Sequence, residues 1–516
     1  MAVRLPMEGA YMARLSNSFR NLTYSFAGYF LKILVQFVSR TVFIQVLGRE
    51  YLGLGGLFTN ILMMLSLAEL GFGEAITFSL YGPLAREDQK AIRGLMQMFR
   101  RIYTLVGAFV LAAGLSLTPF LQYFVKDLPD IPGIRLIYVL FVLNSALSYL
   151  NTYKRTLIIA DQKQYIVSGY TYGCAIALNV VQTIGLLITG NYFLYISLMI
   201  VFTMAENLLL TKKANDLYPF LQIQEKEKLS KDLTAPIQRN IRAMLYHKVG
   251  YVLVNGTDNL LMARLVDLAS VGIYSNYLMI TSTLESAVKI VFSAISASVG
   301  NVGVTESDEK KLQIFNRINF VSMWVFGFCA VCLMCLLTPF ITVWVGESYC
   351  FPVTVELVIC LKFLLYGLRQ PVNVTKSAFG LYWQDRYKPI AEAGINLVVS
   401  IVLGIRLGVL GILLGTVVSS LATNLWIEPL VLYRDGLHAP VRLYFKEYGV
   451  FMAVTAVAGG LTYWLCNLVG LGGIAGLLIK MIICIVVPNL IYLVCFFRKK
   501  EFSYFCETIR RFVARI

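Results

Sequence analysis

Apolar runs of roughly twenty to thirty residues follow one another along almost the whole chain, each long enough to cross about 30 Å of hydrocarbon as a helix. They fall at 19–47, 52–80, 98–122, 132–160, 165–189, 192–211, 241–264, 269–299, 314–340, 353–379, 387–407, 409–432, 447–467 and 472–497. The longer ones must tilt or extend past the bilayer. The pattern predicts an all-α, polytopic membrane protein of about fourteen transmembrane helices. Composition agrees: 58% of the residues are apolar and only 14% are charged, with a mean hydropathy of +0.70, more apolar surface than a soluble fold can bury.

The charges that remain gather between the runs, and mostly on one side. With the N-terminus in the cytoplasm, Arg86, Lys90, Arg93, Arg100, Arg101, Lys212, Lys213, Lys310, Lys311, Arg386, Lys388, Arg434 and the tail around Arg498–Lys500 all fall inside, while the opposite loops hold little beyond Arg49, Lys126, Arg135, Arg264 and Arg406. This asymmetry supports an even number of spans and cytoplasmic termini in a bacterial inner membrane. It also accounts for the net charge of +16 without a nucleic-acid partner. Arg4, Arg14 and Arg20 precede the first run with no small-residue cleavage site behind it, so no removable signal peptide is expected.

The most hydrophilic stretch, near 212–240, carries the run Gln224-Glu225-Lys226-Glu227-Lys228 and reads as a linker between halves. The predicted organisation is an N-terminal lobe over 1–215, a cytoplasmic linker over 216–240, a C-terminal lobe over 241–433, and two further helices with a basic tail over 434–516. The lobes resemble each other. A shift of 219 residues lays Arg20-Asn21 on Arg239-Asn240, Gln36 on Asn255, Arg40 on Asn259 and Gly53 on Gly272, and a shift of 222 lays Lys154 on Lys376 and Tyr165 on Tyr387. A duplication of six helices in one orientation gives two lobes related by an axis along the membrane normal.

A charged side chain near the bilayer centre costs at least about 2.5–3.5 kcal/mol on insertion scales, so each one there needs a reason. Lys32, Gln36 and Arg40 recur every four residues and share one face of the first span. The equivalent helix of the second half carries His247, Lys248, Tyr251, Asn255, Asp258 and Asn259. Both stripes are expected to line a cleft, which Lys289, Arg369, Lys154, Arg155 and Lys376 would make predominantly cationic. For Lys154, Arg155 and Lys376 the alternative is snorkelling to the interface, and for Glu285 it is neutralisation of Lys289. Pro371, between Arg369 and Asn373, should bend the tenth span and free carbonyls.

Catalytic signatures are missing: there is no phosphate-cradling loop, no HExxH and no nucleophile elbow, and two histidines leave an enzyme little to work with. The ten cysteines are scattered through apolar runs and read as small hydrophobes. Cys329, Cys332 and Cys335 repeat at helical spacing, but no His or carboxylate joins them, so no metal and no cofactor is expected.

The stretch Leu47-Gly48-Arg49-Glu50-Tyr51-Leu52-Gly53-Leu54-Gly55-Gly56-Leu57-Phe58, continued by Leu65-Ser66-Leu67-Ala68-Glu69-Leu70-Gly71-Phe72-Gly73, resembles the opening of bacterial polysaccharide flippases, and Val271-Gly272-Ile273-Tyr274-Ser275-Asn276-Tyr277 resembles the start of their second half. These proteins belong to the multidrug/oligosaccharidyl-lipid/polysaccharide exporter superfamily. The resemblance implies a flippase that moves an undecaprenyl-diphosphate-linked oligosaccharide to the outer leaflet by alternating access, alongside polysaccharide polymerase machinery. In that reading Lys32, Arg40, Lys248, Lys289, Arg369, Lys154, Arg155 and Lys376 would grip the diphosphate, Gln36, Asn255 and Asn259 would face the sugars, and Asp258, Glu69 and Glu285 would serve a coupling H+ or Na+. The rivals are a cation-coupled multidrug or metabolite antiporter of the same superfamily, which would favour a carboxylate-rich pocket, and a membrane glycan polymerase or ligase, which would need a large external loop.

Overall fold

The computed structural model describes residues 5–66, 72–126, 131–223, 249–250, 252–254, 256–381 and 383–513. The helices are α1 (Leu5–Leu65), α2 (Phe72–Ala85), α3 (Gln89–Leu117), α4 (Ile134–Ser148), α5 (Thr152–Ala160), α6 (Gln164–Thr189) and α7 (Tyr192–Leu217). After a helical stretch over 256–265 come α8 (Leu268–Thr305), α9 (Asp308–Val345), α10 (Val353–Ala378), α11 (Lys388–Leu407), α12 (Val409–Ala422), α13 (Asn424–Asp435), α14 (Arg442–Leu468), α15 (Gly473–Phe496) and α16 (Lys500–Val513). No strand occurs among the described residues. Nine of these helical segments, α12 and α13 together counting as one, are long and apolar enough to cross a membrane, ten when α4 and α5, bent by 43°, count as one broken span. The chain is an all-α, multi-pass membrane protein. Its outer faces show why: Leu105, Ile188 and Val494 are each at least 70% exposed, a surface that hydrocarbon solvates and water does not.

Breaks between spans follow from single residues. Gly48, at φ 80°, interrupts α1 between the first two predicted runs. Asn151, at φ 65°, sits in the bend between α4 and α5, a left-handed position that asparagine tolerates better than most residues. Pro371 lies buried inside α10, which nonetheless runs on to Ala378. The proline cannot donate to Gly367 O four residues back, and the Ser322 hydroxyl of α9 takes that carbonyl instead at 3.2 Å. Gly367 also lets α9 in: a Cβ there would lie 2.0 Å from the Phe326 ring. The freed carbonyl therefore serves helix packing.

The chain divides into two compact units, Met1–Gly272 and Ile273–Ile516. Most of the predicted linker lies in 224–248, outside the described residues, and 256–272 groups with the first unit. In that unit α1 packs along α6, α4 against α7, and α2 against α5 around Leu95, Phe99, Tyr103, Tyr153 and Leu157. In the second, α9 packs on α10, α14 and α15, and α10 on α12 and α13, around Phe315, Leu432, Tyr433 and Tyr444.

The 219-residue register has a physical counterpart inside the first unit. A Cβ on Gly53 would lie 2.1 Å from Leu268 O, and a Cβ on Gly272 would lie 2.1 Å from Arg49 O. The same register pairs Gly53 with Gly272 and Arg49 with Leu268, so the two segments meet through a self-complementary contact of the kind a two-fold axis produces. Backbone touches backbone here, and only glycine fits. Gly53→Val and Gly272→Val are each expected to destabilise the protein by about 3 kcal/mol or more, read as a lowered unfolding temperature in detergent; because the contact is symmetric, the two losses should be similar.

Candidate functional site

The densest polar cluster lies in the second unit, where α10, α11 and α13 each present polar residues one helical turn apart. These are Arg369, Asn373 and Lys376 on α10, Lys388 and Glu392 on α11, and Asn424 and Glu428 on α13. Spacing of three and four residues puts each set on one face. Arg369 donates from Nε and from a terminal nitrogen to the two Glu428 oxygens, both at 2.7 Å, the forked geometry that suits a carboxylate. Lys388 Nζ donates to Glu428 and, at 2.9 Å, to Asn424 Oδ1. The Asn424 amide donates in turn to Glu392. Lys376 bonds Asp385, from the segment before α11, and lies 3.9 Å from Glu428. With its nitrogen toward Glu428, the Asn373 amide donates to both carboxylate oxygens at 3.1 Å and accepts from Arg369 Nε at 3.0 Å.

Three cations thus meet three carboxylates, and the cluster is charge-balanced. The side chains of Lys376, Asp385, Lys388 and Glu428 are all at most 5% exposed, whereas Arg369 keeps 29% and lines a small cavity with Asn424, Glu428, Tyr444 and Tyr448. Arg369 and Lys376, expected to face an anion, are met here by the chain's own carboxylates.

The first unit carries a smaller version. Arg155 bonds Glu206 of α7 at 3.0 Å and also Thr171, whose hydroxyl donates to the same carboxylate at 2.7 Å, while Lys154 donates to Asn215 at 2.8 Å. The register that lays Lys154 on Lys376 also lays Glu206 on Glu428. The glutamates correspond; their arginine partners do not.

Two groups of cations stand apart from these pairs. On α1, Lys32, Gln36 and Arg40 share one face and are all half-buried. Arg40 is within electrostatic reach of Tyr192 and Tyr195 of α7. Those two rings stack at 5.9 Å, with Phe43 edge-on to both and Tyr51 edge-on to Tyr192. The surroundings of Arg40 thus include aromatic rings and phenolic hydroxyls. In the second unit Glu285 of α8 faces both Lys289 and Lys362. Lys362 of α10 also donates to the Tyr274 hydroxyl at 3.1 Å. One carboxylate against two ammonium groups leaves the trio positive, and Lys289 is exposed.

Asp258 and Asn259 are buried in the helical stretch over 256–265. Lys248, Asn255 and Glu69, with His247 and Tyr251, lie outside the described residues. Lys362, Glu392, Asp385, Glu206 and Glu428 escaped the sequence reading, and Lys388 entered it only as a basic residue on the cytoplasmic side. Their signal was available in part, since Lys388 with Glu392 and Asn424 with Glu428 recur at four-residue spacing.

Helix order and the two-unit arrangement allow comparison with solved structures. The lipid II flippase MurJ in an inward closed conformation superposes with a TM-score of 0.64 at 13% identity, covering 92% of this chain and 98% of that one. The chain shares that fold. The Vibrio cholerae MATE transporter VcmN matches with a TM-score of 0.58 at 12% identity, over 83% of this chain and 99% of its own. A transporter of the MOP superfamily from Pyrococcus furiosus, described as having a binding pocket of reverse polarity, matches with a TM-score of 0.55 at 12% identity, over 82% and 96%. No family model and no curated protein sequence matches the chain. At these identities the shared property is the fold.

Proposed function

We propose that this protein is a flippase for a polyprenyl-diphosphate-linked oligosaccharide, working by alternating access in a bacterial cytoplasmic membrane with both termini on the cytoplasmic side, as one step of surface polysaccharide synthesis. The observation that carries this reading is the α1 stripe: Lys32 and Arg40 lie two helical turns apart on one apolar helix, with Arg40 beside a tyrosine pair. Two long side chains on one face can converge on a single diphosphate, and Arg40 can offer it a forked pair of donors. Tyrosine hydroxyls and Gln36 suit sugar hydroxyls. The lipid tail needs no protein pocket, because it stays in the bilayer. Each unit brings a cationic set of its own, and in the second Lys289 and Lys362 outnumber Glu285. The fold supports the reading, since one solved protein of that fold is named as a lipid II flippase.

MATE multidrug transporters share the fold, so export of an organic cation is the second reading. A cationic substrate would be repelled by the α1 stripe. Reconstituted in proteoliposomes, Lys32→Ala is expected to slow flipping of a fluorescent polyprenyl-diphosphate oligosaccharide about tenfold, the effect of losing one charge-assisted contact of about 1.5 kcal/mol. An unchanged rate would remove Lys32 from the headgroup site.

A further inference from the structure

Outside the transport reading, the second unit gathers its cysteines. Cys332 and Cys335 lie one turn apart on α9, Cys466 lies near the end of α14, and Cys484 in the middle of α15. The sulfurs of Cys335, Cys466 and Cys484 all lie within 4.8 Å of one another, and those of Cys466 and Cys484 are 3.9 Å apart. Cys332 Sγ reaches the backbone oxygen of Cys484 at 3.8 Å. Cys335, Cys466 and Cys484 are buried, and every cysteine is free.

We propose that Cys335, Cys466 and Cys484, with Cys332 beside them, form a structural binding site for a thiophilic divalent ion of the zinc class, which ties α9, α14 and α15 together.

Geometry comes first. Zinc bonded to thiolates at about 2.3 Å in a tetrahedron holds its sulfurs about 3.8 Å apart. One of the three separations already has that value, and the others need to contract by less than about 1 Å. Surroundings come second. The neighbouring side chains are Met334, Leu336, Tyr463 and Ile483, with no carboxylate or imidazole among the residues of the cluster, so hard ions that require oxygen ligands are excluded and soft ones favoured. Charge comes third. Lys480, one turn before Cys484 on α15, is within electrostatic reach of both Cys466 and Cys484. Three thiolates, one divalent ion and that ammonium sum to zero, as an apolar interior requires, whereas a monovalent ion would leave a net negative charge. Cys332 stays a neutral thiol beside the ion, its Sγ directed at the Cys484 backbone oxygen. Binding releases a proton from each of the three coordinating thiols to solvent, and no redox change occurs. Three helices far apart in sequence would thereby be cross-linked at one point.

The test uses the full chain in detergent, reduced and freed of metal, carrying Cys495→Ser and Cys506→Ser so that exposed thiols contribute nothing. Titration with cadmium as a zinc analogue should give thiolate-to-metal absorption that saturates at about one ion per chain. Cys484→Ser and Cys466→Ser should each abolish that signal, and Cys174→Ser, away from the cluster, should keep it. Should the cluster variants fail to fold, X-ray absorption of the zinc-loaded parent chain decides alone: a shell of sulfur at about 2.3 Å is expected. No uptake, a shell of nitrogen or oxygen, or an air-formed Cys466–Cys484 disulfide without metal uptake in the reduced protein would each overturn the proposal.

Discussion

Glu428→Ala is expected to destabilise the protein by about 3–5 kcal/mol, the usual cost of removing one member of a buried ion pair. The reason is not the strength of one bond. The Glu428 side chain is 1% exposed and accepts from Arg369 twice and from Lys388, so its loss leaves two cations facing each other with less carboxylate than they need. Glu392, 4.0 Å from both Arg369 and Lys388, cannot replace its hydrogen bonds without moving α11. Glu428→Gln keeps the shape but not the charge and should lose most of the same free energy. Replacing the pair together, as Arg369→Met with Glu428→Leu, should recover much of it, because the desolvation of both ions disappears with them. Thermal unfolding of the purified variants measures all three. A Glu428→Ala protein as stable as the parent would mean that Asp385 and Glu392 alone hold the three cations.

The second large effect concerns transport. Arg40→Ala is expected to slow flipping of a polyprenyl-diphosphate oligosaccharide about ten- to a hundredfold, the range that follows from losing charge-assisted hydrogen bonds of about 1.5–3 kcal/mol. The unfolding temperature of the same variant, measured alongside, should change little by comparison. Arg40→Lys separates charge from shape: the ammonium keeps the positive charge but offers no planar fork, so an intermediate rate is expected. If Arg40→Ala unfolds the protein and Arg40→Lys flips at the parent rate, the guanidinium is a structural partner of the tyrosines.

How much of this was legible in the sequence differs from feature to feature, for physical reasons. Membrane spans are a local property of twenty neighbouring residues, and the apolar runs marked the long helices, α8 and α10 of 38 and 26 residues among them. The glycine register was legible too, and Gly53 and Gly272 turn out to touch each other's segments. Partner choice was not legible. Arg369 and Lys376 look like unpaired cations along the chain, because Glu428 lies 59 residues from Arg369, on α13, and the sequence gives no measure of which helices adjoin. Lys388 counted only toward the cytoplasmic charge excess, whereas at the start of α11 its side chain is buried against Glu428 and Asn424. The cysteines repeat the lesson, since Cys332 and Cys335 acquire Cys466 and Cys484 only when α14 and α15 pack on α9. Spacing identifies faces, and folding decides what each face meets.

Substrate choice by the native protein is the most direct measurement. Proteoliposomes containing the purified chain would be supplied in parallel with a fluorescent polyprenyl-diphosphate oligosaccharide, read by its accessibility to a membrane-impermeant quencher, and with an organic cation, read by uptake against an imposed H+ or Na+ gradient. A diphosphate flippase with cationic contacts on α1 exposes the lipid-linked sugar and leaves the cation untransported. Cation exchange with no movement of the lipid would contradict it and make the Lys32–Arg40 stripe a structural feature of an antiporter.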